Sequence, residues 1–274
     1  MRIGDSAELL AEYLLGRIAF VSRVPRQEDV GHDLLCTLYE TVGDLLKAGG
    51  FFAVQVKSSK SPIRYKKSHE LNWISSQENP FFIGIADTEA QSLELYSTGQ
   101  ILRLFLWKAP KRVTLRVGFP KKRSDQIVFS NNYEAADVYL GAPVVKLVAS
   151  EISDDPTVTQ RANLLQYWVA IDRENLVRRA TKMYWVLGPS NYETNQKPSE
   201  IGVQFFWNPE NLPGSFDNFL RASVALLNVL HDLDRNWSQI ALYEDLIKLF
   251  EGHDALSNHP ASVILKNRRI IRNQ

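Results

Sequence analysis

The sequence predicts a mixed α/β (α+β) fold, in which helices flank a central mixed sheet. Residues 5–16 place alanine and leucine at helical spacing, and apolar segments of strand length follow at 18–24, 33–39 and 51–58. A further helix and more strands come next, so both kinds of element recur along the chain. The 274 residues, 45% of them hydrophobic and 23% charged, are enough for one large domain or two of ordinary size.

The predicted first helix has clear end signals. Asp5 is a suitable N-cap and Gly16 a suitable terminator. The strands predicted at 33–39 and 51–58 are separated by a short segment that closes in Gly49 and Gly50, and two adjacent glycines indicate a turn.

The middle of the chain continues the alternation of helix and strand. Residues 68–77 are predicted to be helical, and Pro80 interrupts the helical pattern. Three strand-like segments follow, at 81–86, 93–97 and 101–107.

The remainder of the chain is predicted to be mixed and largely helical. Residues 112–148 are rich in strand patterns, and Asp155-Pro156 marks a helix start. The helix that follows, at 157–183, carries the core candidates Leu164, Leu165, Trp168, Ile171 and Leu176. Two further helices are predicted at 215–234 and 237–250.

The single cysteine and the first residues of the chain favour a cytoplasmic protein. Cys36 has no partner for an internal disulfide, which fits a reducing compartment. The N-terminal residues lack the basic-then-apolar order of a signal peptide, and no apolar stretch approaches the roughly 20 residues of a membrane span. We therefore expect no association with a membrane.

Positive charge is concentrated in two segments, although the net charge is only +1. The segments 55–69 and 101–124 contain lysine and arginine but no acidic residue. Local basic runs of this kind are typical of phosphate contacts, and a solvated charged face is the alternative. The residues expected to contact nucleic acid are Lys60, Arg64, Lys66, Lys67, Lys121, Lys122 and Arg123.

A polar pair in an apolar strand carries the predicted chemistry. Gln55 and Lys57 lie two residues apart, so both side chains leave one face of the strand while Val54 and Val56 leave the other. A lysine in such a strand needs a carboxylate, a bound anion or solvent, because burying an unpaired charge is costly. The face that carries the pair is therefore a candidate site.

Phosphodiester hydrolysis needs a cation held by oxygen ligands and an activated water. Asp33, at the start of an apolar strand, is the leading ligand for Mg²⁺ or Mn²⁺, and Gln55 adds a neutral carbonyl oxygen. Lys57 is expected to orient or deprotonate the water, and Glu8 to bind the metal directly or through water.

Each of these residues also has a purely structural interpretation. Glu8 stands three residues after Asp5, the spacing of a capping box, and Glu12 one turn later is a substitute ligand. Asp33 is also explained as a polar residue at a strand start, with Asp29 as its substitute, and the neighbouring His32 is expected to be structural. Gln55 and Lys57 are also explained as polar groups on a solvent-facing edge strand.

The order of these residues resembles that of a known nuclease superfamily. Ala7-Glu8, Gly31-His32-Asp33 and Gln55-Val56-Lys57-Ser58 are similar to the motifs of PD-(D/E)xK nucleases, in particular Mrr-like restriction endonucleases and a bacterial branch with AE, GxD and QVKS. Archaeal Holliday-junction resolvases share the order. The resemblance covers about the first 100 residues. It implies a restriction-endonuclease-like core with a four-stranded mixed sheet, and Asp33, Gln55 and Lys57 as active-site positions.

The resemblance implies a metal-dependent endonuclease domain at 1–108, which hydrolyses DNA in host defence or DNA processing. Residues 109–274 are then an accessory strand-then-helix region that binds substrate, a second copy of the chain or a partner protein. RNA is left open as a substrate. Most of the superfamily has a carboxylate where this chain has Gln55, and the amide lowers the attraction for Mg²⁺. The alternatives are therefore a catalytically weak or inactive subunit that binds DNA or protein, and a scaffold without DNA affinity.

Overall fold

The computed structural model describes residues 3–25, 31–42, 45–105, 109–120, 126–130, 132–151, 153–179, 184–187, 194–195 and 202–205. The chain divides into two compact units, Met1–Gln204 and Phe205–Gln274, and all described residues except Phe205 lie in the first. The predicted helices at 215–234 and 237–250 lie outside the described residues.

Three α-helices and twelve strands are present among the described residues. The helices are α1 (Ile3–Leu15), α2 (Ser68–Ser75) and α3 (Asp155–Arg178). The strands are β1 (Ala19–Arg23), β2 (Leu34–Val42), β3 (Leu45–Lys57), β4 (Ile63–Tyr65), β5 (Phe81–Asp87), β6 (Ser92–Ser97), β7 (Arg112–Arg116), β8 (Ile127–Phe129), β9 (Ala135–Tyr139), β10 (Val145–Val148), β11 (Tyr184–Leu187) and β12 (Gly202–Phe205).

A mixed sheet of six strands organises the unit, in the order β1-β2-β3-β5-β6-β10. The pair β3 and β5 is parallel, and every other neighbouring pair is antiparallel. The chain reaches β5 from β3 through β4 and α2, because parallel neighbours need a crossover connection. The predicted mixed α/β fold is therefore confirmed.

The two faces of this sheet have separate cores. On one face, α1 and α3 cover residues such as Val54, Phe82 and Leu95. On the other face, α2 and a second sheet, ordered β4-β7-β9-β8, cover Ala53, Ile83 and others. Because side chains alternate along β3, Gln55 and Lys57 share the face of Ala53. The second face is therefore the one that carries the candidate site.

The predicted turn at Gly49 and Gly50 is wrong, because both glycines lie inside β3. They allow α3 to approach the sheet closely. The Gly50 amide donates to Gln166 Oε1 at 3.0 Å, and a Cβ atom on Gly50 would lie 2.7 Å from Val169 Cγ1. Adjacent glycines thus signalled close packing rather than a change of direction.

The predicted strand at 101–107 is also wrong, because a 3₁₀ helix spans Gly99–Phe105. Ile101, Leu102 and Leu104 are all buried, so the segment has an apolar run without the alternation that separates a strand from a helix. A short apolar run alone does not distinguish the two.

Helix starts were predicted with mixed success. The start of α3 at Asp155-Pro156 is confirmed, with Asp154 as the N-cap. In contrast, α1 begins at Ile3, so Asp5 lies in its first turn and is not the N-cap. The capping-box explanation for Glu8 therefore does not hold.

Residues 109–204 belong to the same unit as the N-terminal strands. Within it, β10 pairs with β6 and α3 packs on the sheet. The assignment of 109–274 to substrate or partner binding stays a prediction. No helix in the described ranges is long and apolar enough to cross a membrane.

A buried carboxyl group lies where α3 meets the sheet. Asp172 Oδ2 accepts a hydrogen bond from Ser97 Oγ at 2.7 Å, and a Cβ atom on Gly99 would collide with the Asp172 carboxylate. Burial raises the pKa of Asp172 to about 7, although the Ser97 hydroxyl acts in the opposite direction. The folded protein thus holds a proton that the unfolded chain has already released.

We expect this proton to make the unfolding free energy fall as pH rises from 3.8, the ordinary pKa, to about 7. In that interval the unfolded chain binds fewer protons than the folded chain, and one proton contributes at most about 1.4 kcal/mol per pH unit. Asp172→Asn should flatten the decline, because the amide does not titrate. Urea unfolding at about pH 5 and about pH 7 gives the change in unfolding free energy with pH for the unaltered protein and for Asp172→Asn. An equal change in the two proteins would contradict the prediction.

Candidate active site

The backbone around Asp33 is held at the junction of three strands. The amide of Asp33 donates to the Val54 carbonyl of β3 at 3.0 Å, and its carbonyl accepts from the Val24 amide, just after β1, at 3.0 Å. Gly31, two residues earlier, has a φ of +78°, which a residue with a side chain rarely adopts. The Gly31-His32-Asp33 segment therefore enters β2 along a defined path.

The Asp33 side chain reaches β3 directly. Its Oδ2 atom accepts a hydrogen bond from the Val56 amide at 2.6 Å. Val56 lies between Gln55 and Lys57, whose side chains leave the opposite face from Val56. The hydrogen bond thus attaches the Asp33 carboxylate to the backbone between its two predicted partners.

Gln55 and Lys57 lie on an interior strand, because β3 is paired with β2 on one side and β5 on the other. Both side chains are partly exposed. The edge-strand explanation of these two residues therefore does not hold. Lys57 is half-buried, so its ammonium needs solvent, a carboxylate or a bound anion as a partner.

The Gln55 amide contacts a tyrosine that sequence reasoning did not select. Tyr65 Oη donates to Gln55 Oε1 at 3.3 Å. Burial, with a smaller contribution from Glu70, raises the pKa of Tyr65 above its ordinary value, so the hydroxyl stays protonated and can donate. No local pattern relates Tyr65 to Gln55, because their contact joins two sheets.

An aromatic cluster supports both sides of the site. The ring of Trp73 lies 5.2 Å from that of His32, 6.2 Å from that of Tyr65 and 5.4 Å from that of Phe81, measured between centroids. His32 also bonds Gln77, with 2.9 Å between Nε2 and Oε1, and burial lowers its pKa. The structural role predicted for His32 agrees with this packing.

Glu8 has a different partner from the one predicted. Its Oε2 atom lies 2.9 Å from a guanidinium nitrogen of Arg23, and Glu12 lies 3.6 Å from the same guanidinium. Moreover, α1 packs on the opposite face of the sheet from Gln55 and Lys57. The structure thus anchors the Asp33 carboxylate to the backbone between Gln55 and Lys57, and it gives Glu8 an ion pair with Arg23.

A second polar cluster on the same face was missed. Glu94 of β6 stands at the register level of Lys57, with Ile85 between them. Its carboxylate lies 2.7 Å from Lys60 Nζ and 3.6 Å from Lys146 Nζ, and it accepts from Tyr96 Oη at 2.7 Å. Burial alone would raise the pKa of Glu94, but these partners outweigh it and lower the pKa. A single acid within the apolar segment SLELYS was the available signal.

The predicted nucleic-acid contacts are only partly described. Lys60, Arg64, Lys66 and Lys67 are exposed and follow Lys57 closely in the chain. Lys121, Lys122 and Arg123 lie outside the described residues.

The oxygen donors at this site fit a cation that keeps several waters. Within the residues that the structure describes, no group of three or more His, Cys, Asp or Glu side chains converges. Asp33 and Gln55 offer one carboxylate and one amide oxygen, and Mg²⁺ is commonly held by only one or two carboxylates with water and substrate. Because a carbonyl oxygen has two lone pairs, its bond with Tyr65 is compatible with a metal contact.

Comparisons with known proteins do not identify the chain. No family model, curated protein or solved structure matches it.

We expect Gly31→Ala to destabilise the fold by about 2 to 4 kcal/mol, from backbone strain and overpacking together. The added Cβ would lie 2.7 Å from Trp73 Cζ2, inside the aromatic cluster. Gly118→Ala is the matched control, because Gly118 has a φ of +88° but no atom within 4 Å of a Cβ. Gly118→Ala should lower the free energy of unfolding by about 1 kcal/mol, from backbone strain alone. Equal losses for the two variants in urea unfolding would exclude the clash with Trp73.

Proposed function

We propose that this protein is a metal-dependent endonuclease of the PD-(D/E)xK superfamily, which hydrolyses phosphodiester bonds of DNA. One observation carries the proposal. The hydrogen bond from the Val56 amide to Asp33 Oδ2 anchors a carboxylate to an interior strand, at the backbone between Gln55 and Lys57. These are the three positions that the sequence resemblance implies.

The strand order supports the same proposal. Strands β1, β2 and β3 are antiparallel neighbours, and β5 is parallel to β3, which makes a four-stranded mixed sheet within the larger one. One helix precedes these strands and another connects β3 to β5. This agrees with the core of helices around a four-stranded mixed sheet that the resemblance implies.

The proposed chemistry assigns one role to each side chain. Asp33 and Gln55 would hold Mg²⁺ or Mn²⁺, and the bound cation would polarise the phosphodiester and lower the pKa of a coordinated water. Lys57 would orient the attacking water and offset negative charge on the phosphate. Glu8 is paired with Arg23, and its helix packs on the opposite face of the sheet, so we give it a secondary role.

The proposed substrate is DNA, with RNA left open. The exposed cations Arg64, Lys66 and Lys67 would contact phosphates, and Lys60 would do so on leaving Glu94. Lys121, Lys122 and Arg123 would extend the contact. Such contacts depend on salt and are largely indifferent to sequence. Residues 109–274 would bind substrate, a second copy or a partner protein. A cytoplasmic location and a role in host defence or DNA processing complete the proposal, the last by resemblance alone.

A second candidate is a non-catalytic member of the same fold that binds DNA or protein. Two observations favour it. Gln55 is uncharged where most of the superfamily has a carboxylate, and Glu8 is already paired with Arg23. Both features lower the negative charge available to a metal.

A cleavage assay distinguishes the two candidates. Supercoiled, linear and single-stranded DNA are incubated with Mg²⁺ or Mn²⁺ and with the unaltered protein, Asp33→Asn or Lys57→Ala. We expect each substitution to lower the cleavage rate by about 100-fold or more, because each removes a group that acts on the metal or the water.

Matched controls for this assay come from the same sheet. Asp87 also accepts backbone amides beyond the end of a strand, and Lys47 is an exposed lysine on β3. Asp87→Asn and Lys47→Ala should cleave at the rate of the unaltered protein. DNA binding without cleavage in every protein would favour the second candidate.

The proposed phosphate contacts predict a specific salt dependence. For the double variant Lys66→Ala and Lys67→Ala, the plot of log binding constant against log salt should become shallower by about 0.9 per lost contact. Lys111→Ala is the control, because Lys111 Nζ lies 2.7 Å from Glu134 Oε1 and is not among the proposed contacts. Fluorescence anisotropy with labelled duplex provides the slopes. Binding that is absent or independent of salt would reject DNA as the ligand.

A further inference from the structure

The hydroxyl of Tyr65 meets the side-chain amide of Gln55 from a different sheet. Tyr65 is 7% exposed, and its Oη atom donates to Gln55 Oε1 at 3.3 Å. The main chain of Tyr65 belongs to β4, which pairs with β7 rather than with β3. The contact therefore joins the second sheet to the strand that carries the candidate site.

The position of this hydroxyl is fixed independently of Gln55. Tyr65 stands opposite Val113 in the β4–β7 ladder. Its ring stacks on that of Trp73 with 24° between the planes. Because the ladder and the stack restrict the tyrosine, its hydroxyl is a fixed donor towards which the longer and more mobile glutamine side chain can turn.

An amide needs such a donor more than a carboxylate does. A carboxylate presents an oxygen whichever way it rotates, whereas a half-turn of an amide replaces the oxygen by an NH₂ group that repels a cation. A neutral oxygen also attracts a cation more weakly than a charged one. A glutamine that serves as a metal ligand therefore requires a neighbour that fixes its rotation.

We propose that Tyr65 is a positioning residue, whose hydroxyl holds the Gln55 amide in the orientation that presents its oxygen to a divalent cation shared with Asp33. The inference rests on the proposed function, and it explains how a QxK site retains a metal without the usual second carboxylate. Tyr65 itself touches neither the metal nor the substrate.

Binding of Mn²⁺ alone to the full chain, followed by electron paramagnetic resonance, tests the role without an activity assay. Tyr65→Phe removes only the hydroxyl and keeps the stack on Trp73. We expect its dissociation constant for Mn²⁺ to rise by about tenfold, as for other residues that orient metal ligands. Tyr96→Phe is the matched control, since Tyr96 is 2% exposed on the same face and its hydroxyl donates to Glu94. Its affinity for Mn²⁺ should not change.

A double-mutant comparison separates orientation from general loosening of the site. In a Gln55→Glu background the ligand no longer depends on its rotation, so Tyr65→Phe should change the affinity for Mn²⁺ by less than twofold, which is far less than in the unaltered chain. An equal loss in both backgrounds would overturn the inference, as would equal affinity of Tyr65→Phe and the unaltered chain. Undetectable Mn²⁺ binding by the unaltered chain, or binding that survives in Asp33→Asn, would overturn the proposed function and this inference with it.

Discussion

The indole ring of Trp73 is the constraint on which the arrangement of the site depends. Its ring faces the backbone of Gly31 so closely that no side chain fits there, and it also packs against His32, Tyr65 and Phe81. Its contacts with Gly31 and His32 determine how the chain enters β2. Its contact with Tyr65 determines the position of the hydroxyl that donates to Gln55. One partly buried ring thus contacts both the segment that leads to Asp33 and the ring of Tyr65, because close packing leaves each neighbour a single position.

The division of the sheet into two unlike faces explains how polar groups survive within it. On the side of α1 and α3 the strands contribute a largely apolar layer, with Ser97 bonded to Asp172 of α3 as a polar exception. On the other side, Asp33 and Glu94 stand among the cations Lys57, Lys60 and Lys146. Charges of opposite sign on a partly exposed surface offset part of the desolvation that each would suffer alone. The second sheet and α2 also pack on this polar face. Its charged groups therefore stay ordered while they remain accessible to water.

Much of the fold could be predicted from periodicity, and most of the site's supporting contacts could not. The short apolar runs of β5 and β6 and the helical spacing in α2 and α3 are local properties, so the sequence predicted these elements within a few residues. Gly49 and Gly50 were misread because glycine marks both turns and close approaches, and only the position of α3 separates the two. The motif order predicted a site shared by Asp33, Gln55 and Lys57, and the structure attaches the Asp33 carboxylate to the Val56 amide between the other two. Arg23, Tyr65 and Glu94 escaped prediction because their partners lie on other elements, and no spacing along the chain encodes such contacts.

The pairing of β10 with β6 has a consequence for how the chain acquires its structure. β10 completes one margin of the sheet from about 50 residues further along the chain, and it delivers Lys146 to Glu94. A polypeptide ending near residue 108 would leave β6 as an open edge with unpaired amides and carbonyls, which invites association between copies. During synthesis on the ribosome, β6 therefore gains its second neighbour only after the segment around residue 145 has been made.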